Sequence, residues 1–409
     1  MRIFTLVLLC LPLFIVLSCK KADEVSAQQS QFFVKLYGTH LSQTGNDVIQ
    51  TDDGGYAFIG SSTTDDKGTD IILVKTDEFG IQQWSKTFGD SLDDTGTSID
   101  LTNDGYILSG TYMYNSGLTD MIVIKTDFDG NEQWRQIIGS TDYNERSSAV
   151  LASSSGEYIV VGSTTAPVIK ADDGDPFQNP AGQWDIVVSA INDQGDSVLW
   201  SKQYGGQMAD FGNDIIEKQP SGYFVLGTTV SLHNEGIADI VVISVSSDGG
   251  IVGPAFFGES NEENRASSII KHKGDLVVIG NVQTSGSVIS SPEILRFSGE
   301  TIDVNNLKWQ KVIDLGMSAT TTSVASIGDN IAFTGGIVDS EDGNQLYVSY
   351  VNGSGAIGET TILGSGGLDI GNSIISTEDE RLIIGGTTGF EGNSMMELVK
   401  VNAEGKLKE

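Results

Sequence analysis

The sequence predicts an all-β fold, a seven-bladed β-propeller of four-stranded blades. Three observations predict it. A Trp-led segment recurs as Trp84-Ser-Lys-Thr-Phe-Gly89, Trp134-Arg-Gln-Ile-Ile-Gly139, Trp200-Ser-Lys-Gln-Tyr-Gly205 and Trp309-Gln-Lys-Val-Ile313. A glycine closing an apolar strand recurs at Gly60, Gly110, Gly162, Gly227, Gly280, Gly335 and Gly385, mostly 50 to 55 residues apart. Glycine is abundant, at 50 residues, and often follows Asp or Gly, as tight hairpins require. Self-similarity at this period marks a propeller, solenoid or array, so one closed ring can absorb all 409 residues.

Each unit reads as four strands. Strand A is short and apolar, as at Val48-Ile49, Ser98 to Leu101, Asp214 to Ile216 and Ser373 to Ile375. Strand B follows a turn, as in Asp53-Gly-Gly-Tyr-Ala-Phe-Ile-Gly60 and Asn103-Asp-Gly-Tyr-Ile-Leu-Ser-Gly110. Strand C is Asp70 to Lys75, Asp120 to Lys125 and their copies, and strand D is the Trp segment. B and C are unbroken apolar runs, which fits sheets buried on both faces between neighbouring blades. Phe32 to Gly38 looks like a strand D with nothing before it, and the last unit lacks a good D. The N-terminal strand is therefore expected to complete the last blade and leave no open edge. Strand C opens with Asp70, Asp120, Asp185 and Asp239, then with Ser291, Gln345 and Met395, so the last three units are degenerate copies.

The balance of 23 basic against 55 acidic residues, net −32, argues against nucleic acid and anionic lipid surfaces as partners. Both cysteines lie near the N-terminus. Residues 1–18 read as an export signal, with basic Arg2 and an apolar stretch from Ile3 to Leu17 broken by Pro12. Val16-Leu-Ser-Cys19 resembles a bacterial lipobox, which implies cleavage before Cys19 and a lipid on its thiol. Residues 19–31 are polar and aperiodic, a flexible tether. The Trp-Ser-Lys-x-Phe-Gly, Thr51-Asp-Asp-Gly-Gly-Tyr56 and Gly68-Thr-Asp-Ile-Ile-Leu-Val-Lys-Thr-Asp77 phrases resemble the bacterial β-propeller repeat lipoproteins, across residues 32–409. That resemblance implies an outer-membrane lipoprotein, surface-exposed or facing the periplasm, and is nearly silent on ligand. The expected function is non-enzymatic binding of an envelope protein or glycan by a monomer. A propeller enzyme, either a quinoprotein-like oxidoreductase or a carbohydrate lyase or glycosidase, and a structural surface protein are the rival readings.

Candidate residues follow from the loops. D-to-A and B-to-C loops share one face of a propeller, usually the binding face. The D-to-A loops carry Asp94, Glu145, Asp210, Glu263 and Asp369 at repeated places, and two of them end in Arg146 and Arg265. No cofactor is called for, but carboxylates around a channel mouth would suit Ca²⁺ or Mg²⁺. The competing reading is that each binds backbone N–H groups of its own turn. Asp127-Phe-Asp-Gly-Asn131 reads as a turn. The third unit inserts Ala166 to Gln183 before Trp184, with three of the seven prolines. Phe177 and Trp184 offer aromatic surface there, and Asp172, Asp173 and Asp175 offer acceptors, so this is the candidate contact loop. The three histidines are scattered over different units, and no nucleophile elbow, zinc motif or phosphate loop is present.

Overall fold

The computed structural model describes residues 31–39, 41–64, 68–167, 183–231, 236–339, 343–364, 367–390 and 392–408. The expectations for the signal, for Cys19, and for Asp172, Asp173, Asp175 and Phe177 lie outside the described residues. The described chain forms seven four-stranded antiparallel sheets. Six run A-B-C-D in chain order. In the seventh, strand D is the N-terminal segment Phe33–Tyr37, paired with strand C at Asn393–Val401. The ring is closed as the sequence predicts, and Phe33 pairs with Lys400 as Trp84 pairs with Lys75.

Seven apolar clusters hold the ring, one in each seam between neighbouring blades. The cluster of blades 1 and 2, for example, joins Ile59, Ile71 and Leu73 to Ile99, Leu108 and Ile122. That of blades 7 and 1 joins Phe33, Tyr37 and Leu398 to Val48, Tyr56 and Phe58. Each fully buried side chain of this size contributes about 1.5–3 kcal/mol, so the seams dominate cohesion. The four strand-D tryptophans are part of this packing. A Cβ on Gly130 would lie 2.7 Å from the Trp84 ring, and one on Gly195 would lie 2.2 Å from Trp134. Each Trp thus lies against the C-to-D turn glycine of the next blade.

All seven strands A carry a bulge at the same place, just after Gly45, Gly96, Ser147, Gly212, Ala266, Thr321 and Gly371. A bulge bends the strand and re-aims one side chain. In five of the seven blades the re-aimed residue is small and polar and bonds the next blade. Asn46 Nδ2 donates to Gly96 O (2.6 Å), Ser267 Oγ to Thr321 O (2.6 Å), and Thr322 Oγ1 to Gly371 O (2.5 Å). Asn372 Nδ2 donates to Gly45 O (2.7 Å), which ties the last blade to the first at the innermost strands. The same register shows that Gly371 opposes Gly386, so the repeat glycine of blade 7 is Gly386 and not Gly385. The Gly385-Gly386 doublet hides that one-place offset from a sequence count.

Candidate functional site

The D-to-A loop acids do not meet around the channel mouth. Asp94, Glu145, Asp210 and Asp369 each lie in a different seam, wedged against the residue that opens strand C of the preceding blade. A Cβ on Gly89 would lie 2.2 Å from Asp70 Oδ1 and 3.0 Å from Asp94 Oδ2. One on Gly139 would lie 2.2 Å from Asp120 Oδ1 and 2.7 Å from Glu145 Oε2. The glycine ending each Trp segment is therefore fixed by the two acids that occupy its side-chain space. Asp185 and Asp210 flank Gly205 in the same way, and Gln345 and Asp369 flank Gly364. In the seam of blades 4 and 5 the repeat place belongs to Asn264 rather than Glu263. Asn264 is buried and donates to Glu293 (2.7 Å), whereas Glu263 is only half-buried and pairs with Arg265.

Local donors fill these carboxylates. Asp94 accepts from the backbone of Asp90 (3.2 Å) and Met113 (2.9 Å). Glu145 accepts from Ser140 N (3.2 Å) and Thr164 Oγ1 (2.5 Å), and Asp210 from Gly206 N (2.8 Å) and Ser231 Oγ (2.5 Å). The turn-capping reading describes them, as it does Asp127, which accepts from Asp129 N and Asn131 N. Burial pushes Asp94 up to about 6. Burial, with the Asp120 carboxyl beside it, pushes Glu145 up to about 7. Two ionised carboxylates at this separation repel, so a proton between them stabilises the seam. Where the repeat changes, it supplies a neutral amide, Asn264 or Gln345, in the place of one acid. Among the described residues no three His, Cys, Asp or Glu side chains converge closely enough to hold a metal ion.

A second acidic layer lines the inner strands. Asp47 accepts from Ser98 Oγ (3.0 Å), Ile99 N (3.0 Å) and Ser373 Oγ (2.8 Å), bridging three blades. Asp214 does the same for Ser268 and Ile269. Burial raises Asp47 and pushes Asp100 and Asp214 to about 6. Their donors are strand backbone and hydroxyls of neighbouring blades, which makes them ties of the ring.

The D-to-A and B-to-C face carries a different arrangement on blades 3 and 4. Arg146 is exposed, and its guanidinium lies 4.7 Å from the Trp184 ring centroid and 5.0 Å from that of Phe211. Arg146 and Phe211 occupy equivalent places, each one residue before the strand-A bulge pair, and Trp184 directly precedes strand C of blade 3. A cation between two aromatic faces gains about 0.5–1 kcal/mol from each at an exposed site. Desolvation by the rings lowers the Arg146 pKa, yet a guanidinium stays charged. On blade 2 of the same face, Tyr112 donates to Asp90 (2.7 Å) and Tyr114 to Asp120 (2.8 Å), with the two rings edge to face at 5.0 Å. Sequence reasoning selected Trp184 but missed Phe211, Tyr112 and Tyr114. The signal for Phe211 was there: the place held by Thr44, Thr95 and Thr320 elsewhere becomes Arg146, Phe211 and Arg265 in blades 3 to 5.

No family model matches the chain, and no curated protein matches its sequence. Among solved structures, the chain is similar to the β-propeller domain of the Trilobed protease from Pyrococcus furiosus, described as having an open velcro topology. The TM-score is 0.50 at 10% identity, covering 91% of this chain and 97% of that one. It is also similar to uncomplexed acylaminoacyl peptidase from Pyrococcus horikoshii, with a TM-score of 0.50 at 14% identity, covering 90% of this chain but 53% of that one. At such identities the likeness is one of fold, and the fold it supports is the β-propeller.

Proposed function

We propose that this protein is a non-enzymatic, lipid-anchored envelope protein whose propeller binds an envelope protein or glycan through its D-to-A and B-to-C face. The observation that carries the binding face is the exposed Arg146 held between Trp184 and Phe211. Aromatic rings and arginine are enriched where proteins meet partners, because they bury large area at low entropic cost. The anchor rests on the lipobox-like Val16-Leu-Ser-Cys19 and the polar tether after it. A scaffold role is in keeping with a propeller that forms one domain of a protease in the archaeal neighbour.

Two measurements test the reading. Replacing Cys19 with Ala should move the protein from the membrane fraction to the soluble one, and continued membrane fractionation removes the anchor. A pull-down from solubilised envelope, paired with a glycan array, should retain a partner with the native protein. Trp184→Ala with Phe211→Ala should lose it while the melting temperature stays within a few degrees. Unchanged capture by the double variant sinks the assigned face.

A further inference from the structure

We propose that the groove between blades 2 and 3, on the A-to-B and C-to-D turn face, binds a neutral saccharide. It lies on the side of the ring opposite the Arg146 stack and does not depend on that site. The groove measures about 900 Å³, within the size range of ligand pockets. It differs from the preceding seam at one turn position. In the seam of blades 1 and 2, Trp84, Tyr106 and Phe128 form a run of three rings, with centroids 6.4 and 5.6 Å apart. In the next seam Trp134 and Tyr158 repeat the first two rings, 5.6 Å apart. The turn position of Phe128 is held by Asp193, and the space of the third ring is open.

The lining states the ligand chemistry. Tyr158 lines the groove and is only 8% exposed, and its hydroxyl makes no hydrogen bond with any described residue. Of its counterparts, Tyr223 bonds Ser153 (3.3 Å), and the Tyr56 hydroxyl, though also without a partner, is fully buried. Burial raises the Tyr158 pKa, as do the Asp104 and Asp193 charges, so the phenol stays protonated and available as a donor. The amides of Asn103, Gln133 and Gln194 and the carboxylates of Asp104 and Asp193 complete the wall. Lys125 is the one cation lining the groove, and it is already engaged by Asp104 (2.6 Å), Thr126 O (2.9 Å) and Gln133 Oε1 (3.1 Å). With two acids and no free cation, the groove repels phosphates and sugar acids. A molecule with many hydroxyl donors, some apolar surface for Trp134 and Tyr158, and no negative charge fits it.

Titration calorimetry with glucose, galactose, N-acetylglucosamine, maltose and cellobiose tests this on the intact propeller. At least one should saturate with Kd of about 1 mM or tighter. Asp193→Phe rebuilds the third ring that blade 2 already carries. It should weaken binding at least about 10-fold while the melting temperature holds or rises. Tyr158→Phe removes only the hydroxyl and should weaken binding about 3- to 10-fold, which keeps the test open if Asp193→Phe misfolds. The proposal fails if no sugar in the panel saturates by about 10 mM. It also fails if Asp193→Phe and Tyr158→Phe bind like the native protein.

Discussion

The seam of blades 1 and 2 and the seam of blades 2 and 3 are assembled from the same parts. Each has a strand-D Trp against a turn glycine, Gly130 in one and Gly195 in the other. Each has a strand-B Tyr, an acid pair beside a glycine, and a buried strand-C Lys on an A-to-B turn Asp (Lys75–Asp53 and Lys125–Asp104). They differ at their rims. The first is filled by Phe128 and holds Asp94 at about 6, whereas the second is open at Asp193 and holds Glu145 at about 7. The apolar centre carries the cohesion of both, so turn positions outside it are free to diverge. Phe128 is itself the exception, since Glu78, Ser247 and Gly353 hold its turn position in other blades.

The largest break comes from the seam that the chain must close with its far end. Deleting residues 31–38 removes Phe33 and Tyr37 from the cluster of blades 7 and 1 and exposes the edge of Asn393–Val401. Losing a buried aromatic side chain costs about 3–5 kcal/mol, and two are lost here together with a strand. Calorimetry should show a melting temperature lowered by more than about 10 °C, or aggregation through the bared edge. A deletion that melts with the full-length chain would mean the ring does not need its closure.

The next effect compares the two turns directly. Gly130 and Gly195 have φ of +74° and +71°, and a Cβ on either meets an indole, closer at Gly195. Gly→Ala at each should cost about 2–4 kcal/mol from the left-handed backbone and the overlap, with Gly195→Ala the worse. Urea midpoints would rank them, and the reverse order would show that Trp134 can shift where Trp84 cannot.

Acidity separates the seams more finely. Glu145 titrates near 7 in the folded chain against 4.5 when free, so its protonated form favours folding. Its contribution is complete below pH 4.5 and is lost as pH rises through 7. Asp94 loses its share earlier, between 3.8 and about 6. Glu145→Gln keeps the neutral shape and should stabilise the fold at pH 8 by about 1–3 kcal/mol, with little effect at pH 4. Melting temperatures across pH 4–8 would test it, and a parallel curve for the variant would mean that Glu145 is ionised in the fold.

Much of this was legible in the sequence, and the failures have physical causes. The Trp segments, the Asp-Gly turns and the stray strand at Phe32 to Gly38 gave the blade count and the closure, because each recurs with its own side chain. Glu263 stands out in the sequence because it is an acid, although the seam place belongs to Asn264, whose buried amide replaces a protonated carboxyl. The inner ties made by Asn46, Ser267, Thr322 and Asn372 went unseen because small polar residues look like any turn. They are recognisable only from the bulge that aims them. The groove at Asp193 is hidden in the sequence because strands and turns of two blades line it, with no shared motif.

The smallest effect tests whether the closing seam is a true copy. Phe33 stands in the register of the strand-D tryptophans, and a Cβ on Gly80 would lie 2.7 Å from its ring, as one on Gly130 would from Trp84. Trp200 and Trp309 each donate their indole N–H to the second residue of the next C-to-D turn, Ser247 O at 3.0 Å and Gly353 O at 3.2 Å. The corresponding carbonyl for position 33 belongs to Glu78, in the turn before Gly80. Phe33→Trp therefore adds apolar area over Gly80 and one hydrogen bond worth about 0.5–1.5 kcal/mol net. Its urea midpoint should rise slightly. A loss of more than about 1 kcal/mol would show that the seam joining the chain's two ends is cut to a tighter shape than the others, with Phe33 chosen for size rather than inherited as a reduced tryptophan.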